Sequence, residues 1–209
     1  MQGSKRPLIL AVRHGKTAFN NPKHPRLRAW QDAALDPSGR LDAQIAASKL
    51  KPYNPKIIYH SDMARDTETA NIMGRILGIP TEPDYNLRTA DMGEWTGRLE
   101  EEVAPLVAKW YDSPWMDAPS GESYFDFVNR FFPCFDCKMI LARDADAFRP
   151  IVTVFHGRNF AALHSRYDMI DPKKAKMPTV GGVAYVYEDE RGDPQMEWLT
   201  ETEPVLEDA

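Results

Sequence analysis

Two short apolar segments of this chain end in the same dipeptide, and this repeated pattern constrains the fold more than any other feature. Leu8–Val12 is followed by Arg13-His14-Gly15, and Ile151–Phe155 is followed by His156-Gly157. Ile57–Tyr59 forms a third, shorter apolar run. Short apolar runs that contain β-branched residues and alternate with helical patterns are typical of buried parallel strands. The pattern therefore predicts an α/β protein with a mostly parallel sheet.

The segments between these runs carry helical patterns and one hairpin signal. Ser61 is predicted to cap the second helix, which Gly78 and Pro80 end. Asn159 is predicted to cap the last helix, and Pro133 to interrupt or kink a longer one. The predicted helices are Arg40–Leu50, Ser61–Leu77, Glu122–Asp144 and Asn159–Tyr167, and the predicted hairpin strands are Val183–Tyr187 and Met196–Leu199 on either side of Arg191-Gly192-Asp193-Pro194.

Length and composition favour one compact domain. A chain of 209 residues without repeats or a linker is expected to fold as a single domain over residues 1–209, with residues 99–121 as a small lid. No apolar run approaches the roughly 18 residues of a membrane span, so no membrane partner is expected. Dispersed basic residues and a net charge of −5 argue against nucleic acid.

The cysteine pattern indicates the cellular compartment of the protein. Cys134 and Cys137 form a C-x-x-C pair inside a predicted helix, and no second Cys/His pair lies at zinc-finger spacing. Two buried thiols are the simpler interpretation, and they fit a reducing compartment. The predicted location is the cytoplasm.

The strand ends bring together residues that bind phosphate. In open α/β sheets, ligands bind outside the carboxyl ends of the strands, so His14 and His156 face one another if their strands are neighbours. Arg65 follows the third strand and reaches the same edge, where it joins Arg13. Two guanidinium groups repel a metal cation but bind the oxygens of a phosphoryl group. The sequence therefore predicts a phosphate pocket without a metal or other cofactor.

An ordered set of motifs then resembles the histidine phosphatase superfamily, in its phosphoglycerate-mutase-like branch. The motifs cover nearly the whole chain. They are Arg13-His14-Gly15-Lys16-Thr17-Ala18-Phe19-Asn20, Leu35-Asp36-Pro37-Ser38-Gly39, Ser61-Asp62-Met63-Ala64-Arg65 running to Thr69-Ala70, Leu87 to Gly97, Ser120-Gly121-Glu122-Ser123 and Phe155-His156-Gly157. The resemblance implies a three-layer α/β/α sandwich and a phosphohistidine intermediate formed without a metal.

Roles carry over from the resemblance to individual positions. His14 matches the nucleophile, which must present a free lone pair while its other nitrogen donates, for example to a backbone carbonyl. Arg13, Arg65 and His156 match the phosphate-binding groups, and His156 is expected to act in its protonated form. The lesser substrate-binding positions are Thr17, Asn20 and Gly157.

The general acid is where this sequence departs from the family pattern. Thr89 stands where the mutase-like branch has a glutamate, and Gly157 stands where another branch has an aspartate. Asp91 is the nearest carboxylate on the same loop and is predicted to be the acid and later the base. Glu94 and Glu122 remain rivals. For Asp91 the alternative is a turn that its side chain caps, and for Glu122 it is the favourable start of a helix.

The expected activity is that of a phosphomonoesterase acting on a small organic phosphate ester. A cofactor-dependent phosphoglycerate mutase is the first alternative, although the Arg and aromatic residues that follow the catalytic glutamate in mutases are absent here. A binding module that has lost turnover is an alternative of another class, suggested by Thr89 and Gly157. Arg26 and Arg28 could reach a second anionic group, or could be solvated.

Overall fold

A computed structural model describes residues 6–20, 25–143, 149–175 and 177–199. Within these ranges six strands form one sheet, and five α-helices and three short 3-10 helices connect them. The strands are β1 (Ile9–Arg13), β2 (Ile57–His60), β3 (Thr81–Pro83), β4 (Ile151–Phe155), β5 (Val183–Glu188) and β6 (Pro194–Trp198). The helices are α1 (Pro37–Leu50), α2 (Ala64–Leu77), α3 (Glu100–Asp112), α4 (Tyr124–Arg143) and α5 (Gly157–Tyr167).

The sheet is mixed, with its parallel part at the centre. The strand order is β3-β2-β4-β1-β5-β6, and the first four strands run parallel to one another. β5 pairs antiparallel with β1, and β6 with β5, which confirms the predicted hairpin. Parallel pairing of β1 with β4 places Arg13 opposite Phe155, so both strands end at the same edge of the sheet.

Helices cover both faces of the sheet. Along β1, Ile9 and Ala11 belong to one hydrophobic cluster, whereas Leu10 and Val12 belong to the other. The first cluster takes in the phenylalanines of α4 and α5, and the second the apolar residues of α1 and α2. Because successive side chains of a strand point to opposite faces, this alternation shows that β1 is buried on both sides. The predicted three-layer α/β/α architecture is confirmed.

The structure shifts the start of every predicted helix by two or three residues, and neither predicted cap is observed. α2 begins at Ala64 and not at Ser61, and its N-cap residue Met63 makes no side-chain capping bond. α5 begins at Gly157, so Asn159 lies inside its first turn, where its Nδ2 donates to the carbonyl oxygen of Leu87 over 3.3 Å. At the start of α2 a tertiary contact replaces the cap, because the N–H of Ala64 donates to Oδ1 of Asp32 over 2.8 Å.

Other boundaries agree more closely with the sequence. Gly78 ends α2 in the left-handed conformation with φ of 68°, which glycine adopts without strain. α4 runs through Pro133 without interruption, and the predicted end of that helix at Asp144 lies outside the described residues. The short strand β3 was not predicted, because three residues give too weak a pattern.

The predicted lid segment contains α3 and packs onto the body of the protein. Trp110 of α3 is fully buried in the cluster that also holds Phe127, and its Nε1 donates to the carbonyl oxygen of Glu122 over 2.9 Å. Movement of this segment as a lid stays a prediction, as does the single domain over residues 1–209. None of the described helices has the length and apolar character needed to cross a membrane.

Candidate active site

The site lies at the carboxyl edge of β1 and β4, where the sequence placed the two histidines. The rings of His14 and His156 approach edge to face, with centroids 5.2 Å apart. Both side chains are almost completely buried, with exposures of 4% and 3%. Adjacent parallel strands that end in His-Gly therefore bring two imidazoles to one point.

A cavity of about 250 Å³ opens above these rings. Its lining contains five cationic side chains and a single carboxylate among the described residues. The cations are Arg13, Arg28, Arg65, Arg158 and Lys173, the carboxylate is Glu100, the histidines are His14 and His156, and the other lining residues are Leu27, Ala29, Thr89, Val107, Tyr111, Gly157, Ala161, Pro172, Ala175 and Met177. This charge balance favours an anionic ligand.

His14 is held in the tautomer that a nucleophile needs. Its Nδ1 lies 2.8 Å from the carbonyl oxygen of Gly15, and because a carbonyl can only accept, Nδ1 must carry the proton. Nε2 is then left with a free lone pair. Burial, and after it the charge of Arg65, lower the pKa of His14 well below its usual value of 6.5. At neutral pH the ring is therefore neutral and able to attack phosphorus.

His156 has a different set of partners. Its Nδ1 lies 3.2 Å from Nη2 of Arg65, which can only donate, so the proton of the neutral ring is on Nε2. Nε2 lies 3.2 Å from the hydroxyl of Ser61 and 3.2 Å from Oδ2 of Asp66. Burial and then Arg65 lower the pKa of His156 well below 6.5. In the protein alone His156 is thus neutral at pH 7, unlike the protonated form expected from sequence.

The two arginines are fixed by backbone carbonyls. Arg65 is buried and donates from Nη1 to Gln31 and from Nη2 to Ala29, over 2.8 and 2.9 Å. Arg13 donates from Nη1 to Pro178 over 2.6 Å. Burial, with Arg28 and Arg65 adding to it, lowers the pKa of Arg13 to about 10, so it remains charged at pH 7. The buried Nε–H groups of Arg13 and Arg65 have no hydrogen-bond partner.

Asp66 is a buried carboxyl group that the sequence reasoning did not single out. It is fully buried and neither oxygen has a hydrogen-bond partner, although Oδ2 lies 3.8 Å from Nε of Arg65 as well as near His156. Burial raises the pKa of Asp66 well above its usual value of 3.8, against the opposing effect of Arg65. The carboxyl group is therefore strained electrostatically. The sequence signal that could have identified Asp66 is its position directly after Arg65, on the buried face of α2.

The three positions predicted to bind substrate in lesser roles divide into two groups. Gly157 lines the cavity, and a Cβ added there would lie 2.8 Å from the sulfur of Met177 and 3.5 Å from Cζ of Arg13. Thr17 and Asn20 do not line it. Instead, the backbone N–H and the hydroxyl of Thr17 both donate to Oδ1 of Asn20 over 2.9 Å, which stabilises the loop after β1.

The predicted acid and its rivals lie away from the cavity lining. Oδ1 of Asp91 accepts the N–H of Gly93 over 3.0 Å, which is the turn-capping alternative. Glu122 accepts the N–H of Asp91 over 2.8 Å and pairs with Arg130 over 2.6 Å. Glu94 is exposed and accepts from the hydroxyl of Ser120. The structure thus does not bring Asp91 to the cavity, and its catalytic role stays a prediction.

Comparison with known proteins decides the family. The model of the histidine phosphatase superfamily (branch 1) matches residues 9–200. The chain belongs to the histidine phosphatase superfamily. The predicted family and its function in the hydrolysis of phosphate esters are confirmed by this match and by the relatives that follow.

Relatives in this superfamily include both phosphatases and mutases. A glucosyl-3-phosphoglycerate phosphatase of Mycolicibacterium vanbaalenii is 33% identical over 162 residues, covering 74% of this chain and 71% of that protein. A 2,3-bisphosphoglycerate-dependent phosphoglycerate mutase of Cytophaga hutchinsonii is 27% identical over 190 residues, covering 87% of each. A mycobacterial glucosyl-3-phosphoglycerate phosphatase solved with inorganic phosphate shares the fold, with a TM-score of 0.73, 23% identity and coverage of 94% and 97%.

Thr89, which replaces the glutamate of the mutase-like branch, lies inside the cavity, and its side chain is buried. Its carbonyl oxygen accepts from Nε1 of Trp30 over 2.8 Å and from Nη2 of Arg130 over 3.2 Å, which fixes this loop. The hydroxyl of threonine cannot supply an acidic proton near neutral pH. Thr89 is therefore not suited to act as a general acid.

Sequence reasoning missed several residues of the cavity. Arg158 follows His156 by two positions, so its place at the same edge of the sheet could have been found. Glu100 and Lys173 reach the cavity from α3 and from the segment after α5, and no motif marks either of them. Of the two arginines considered for a second anion, Arg28 lines the cavity, whereas Arg26 donates to the carbonyl oxygen of Gly97.

The described residues offer no cluster of three or more His, Cys, Asp or Glu side chains that could hold a metal ion. The two cysteines also serve no such site. Cys134 of α4 is buried, and it contacts Asp84 and Lys138. Cys137 is exposed.

Proposed function

We propose that this chain hydrolyses small phosphate monoesters through a phosphoryl group carried on Nε2 of His14. The observation that supports this most directly is the bond from Nδ1 of His14 to the carbonyl oxygen of Gly15, which leaves Nε2 free inside a cationic cavity. A neutral imidazole in this position is a competent nucleophile toward phosphorus. Arg13, Arg65 and His156 surround the same point and can stabilise charge on the phosphoryl oxygens.

The reaction has two chemical steps. In the first, Nε2 of His14 forms a bond to phosphorus as the bond to the leaving oxygen breaks, and an acid protonates that oxygen. In the second, a water forms the new bond to phosphorus as the P–N bond breaks, and the same group, now a base, takes the proton of that water. His156 gains a proton when the phosphate dianion binds, because a nearby negative charge favours the imidazolium form.

We further propose that the substrate carries a second anionic group. Arg28, Arg158 and Lys173 line the cavity beyond the residues assigned to the phosphoryl group. Nε of Arg158 is buried without a hydrogen-bond partner, whereas Lys173 already pairs with Asp112. The names of relatives point the same way, since glucosyl-3-phosphoglycerate combines a phosphate ester with a carboxylate.

Assignment to the cytoplasm, with neither nucleic acid nor a membrane as partner, is also part of this proposal. Both cysteines are free thiols, although buried Cys134 and exposed Cys137 are only three residues apart in sequence. Free thiols are typical of a reducing compartment. Localisation of a tagged full-length chain by cell fractionation tests the proposal, and recovery in an oxidising compartment would contradict it.

The activity is tested by release of inorganic phosphate from an aryl phosphate between pH 4 and 8. The wild-type protein is expected to release phosphate equally with and without EDTA, and His14→Ala to release none. No release by the wild type at any pH would overturn the proposal and favour a binding module. Exchange between phosphoglycerate isomers faster than phosphate release would favour the mutase.

Substrate choice is tested with matched pairs of esters. A phosphate ester that also bears a carboxylate is compared with an uncharged analogue of the same size. The wild type is expected to prefer the carboxylate ester, and Arg158→Gln to lose most of that preference while it retains hydrolysis of the uncharged ester. An equal kcat/KM for the two esters would contradict a second anionic subsite.

A further inference from the structure

We propose that Glu100 is the general acid, and later the general base, of the reaction proposed above, on which this inference rests. Glu100 is the one carboxylate among the described residues that line the cavity. Thr89 stands where the mutase-like branch has its glutamate. It lines the same cavity but cannot act as a general acid. The structure thus offers a different residue for a function that the reaction requires.

Loop pairing holds Glu100 in place. The N–H of Leu27 donates to the carbonyl oxygen of Arg98 over 2.9 Å, and the carbonyl oxygen of Leu27 accepts the N–H of Gly97 over 2.7 Å. The N–H of Glu100 itself donates to the carbonyl oxygen of Pro25 over 2.9 Å. These bonds set the first turn of α3 against the strand-like segment that carries Arg28. Glu100 therefore reaches the cavity from a fixed backbone position.

Glu100 lies near a cation of the cavity and is partly open to solvent. Its Oε1 lies 3.9 Å from Nη2 of Arg28, and its side chain is 46% exposed. Its charge also raises the pKa of Arg13, against the lowering caused by burial. A half-exposed acid can regain its proton from solvent after each turnover.

The other carboxylates near the site are engaged elsewhere. Asp91 caps the turn at Gly93, and Glu122 pairs with Arg130. Asp66 lies behind His156 and does not line the cavity, so it cannot reach a leaving group there. Glu101, the next residue of α3, is exposed and does not line the cavity either. It therefore provides a matched control.

The test compares leaving groups in Glu100→Gln. A general acid matters most when the leaving oxygen is strongly basic, so kcat/KM for an alkyl phosphate is expected to fall roughly 10²–10⁴-fold. For 4-nitrophenyl phosphate, whose leaving group needs no proton, the fall is expected to be less than about 10-fold. Glu101→Gln is expected to match the wild type with both esters.

Phosphate affinity supplies a second measurement that a structural defect would not imitate. Glu100→Gln removes a negative charge from a cationic cavity, so inorganic phosphate is expected to inhibit this variant more strongly than the wild type. Rescue supplies a third measurement. Thr89→Glu added to Glu100→Gln is expected to restore part of the activity on the alkyl phosphate, because position 89 lines the same cavity.

The outcomes separate this inference from the proposed function. If the wild type is active and Glu100→Gln loses nothing on the alkyl phosphate, Glu100 is not the acid, while the proposed function stands. A leaving-group-dependent loss in Asp91→Asn, with Glu100→Gln unaffected, would return the acid role to Asp91. An inactive wild type would overturn both proposals.

Discussion

The two histidines of the site share a local sequence and differ in their partners. Each follows a buried parallel strand, each precedes glycine, and each has a pKa well below 6.5 because it is buried. His14 uses Nδ1 on a carbonyl and keeps Nε2 free. His156 has Arg65 at Nδ1, and Ser61 and Asp66 at Nε2. The same motif thus leaves one imidazole with a free Nε2 and the other with partners at both nitrogens, and this difference underlies the separate roles proposed for them.

Removing His14 tests the first half of this comparison and has the largest expected effect. His14→Ala is expected to lower kcat/KM for an aryl phosphate by at least about 10³-fold, because no other group can form the covalent intermediate. Binding of inorganic phosphate, measured by calorimetry, is expected to persist because both arginines remain. A variant that retains more than a tenth of the activity would show that His14 is not the nucleophile.

Removing His156 tests the second half, with a smaller expected effect. His156→Ala is expected to lower turnover roughly 10²–10³-fold, the range typical for loss of one donor to a developing oxyanion. The phosphoenzyme is still expected to form, more slowly, and rapid-quench experiments measure its rate. Complete loss of the phosphoenzyme in His156→Ala, with correct folding shown by circular dichroism, would contradict the division of roles.

The dependence of the rate on pH sharpens the comparison further. Since the pKa of His14 is lowered, the neutral form persists below pH 6.5, and protonation of His14 is not expected to reduce kcat/KM between pH 7 and pH 6. Profiles for 4-nitrophenyl phosphate measure this without a contribution from the general acid. An acid limb centred at pH 6.5 would show that His14 has the ordinary pKa of an exposed histidine.

Asp66 produces the smallest expected effect, and it concerns stability. Its raised pKa means that the folded protein disfavours the charged form, so Asp66 lowers the free energy of unfolding at pH values above 3.8. Asp66→Asn is therefore expected to raise that free energy by about 1–3 kcal/mol at pH 7. The gain should shrink as the pH falls toward 3.8, where the unfolded chain also binds the proton.

Urea unfolding of the wild type and Asp66→Asn at pH 7 and pH 4 measures this difference. Asp62→Asn is a useful contrast, since Arg88 lowers the pKa of Asp62 and its loss should destabilise the fold. A lower free energy of unfolding for Asp66→Asn at pH 7 would show that the buried carboxylate is stabilised by a partner.

The sequence predicted those parts of the site that regular strands and helices position. His14 and His156 follow directly from strand ends, and Arg65 follows from the first turn of α2, so parallel pairing determined their meeting. When parallel strands end at one edge of a sheet, the residues that directly follow them lie close together, independent of the conformation of the loops. The family resemblance then added the roles.

The rest of the site depends on irregular segments. Glu100 reaches the cavity because residues 25–27 pair with residues 97–100, and no periodic pattern encodes such loop pairing. Asp91 has a suitable side chain on the same loop as Thr89, yet its carboxylate accepts the N–H of Gly93 and lies away from the cavity lining. The local turn at Asp91 was an alternative that the sequence offered, whereas the position of Glu100 depends on tertiary hydrogen bonds that no local pattern encodes.

The central claim is that the phosphoryl group is carried on His14, and one measurement tests it most directly. The full-length chain is mixed with an aryl phosphate, quenched within milliseconds in alkali and mapped by peptide mass spectrometry. We expect one acid-labile phosphoryl group on the peptide that contains His14, and none in His14→Ala. A phosphoryl group on another residue, or full turnover by the wild type with no phosphoenzyme under single-turnover conditions, would contradict the account.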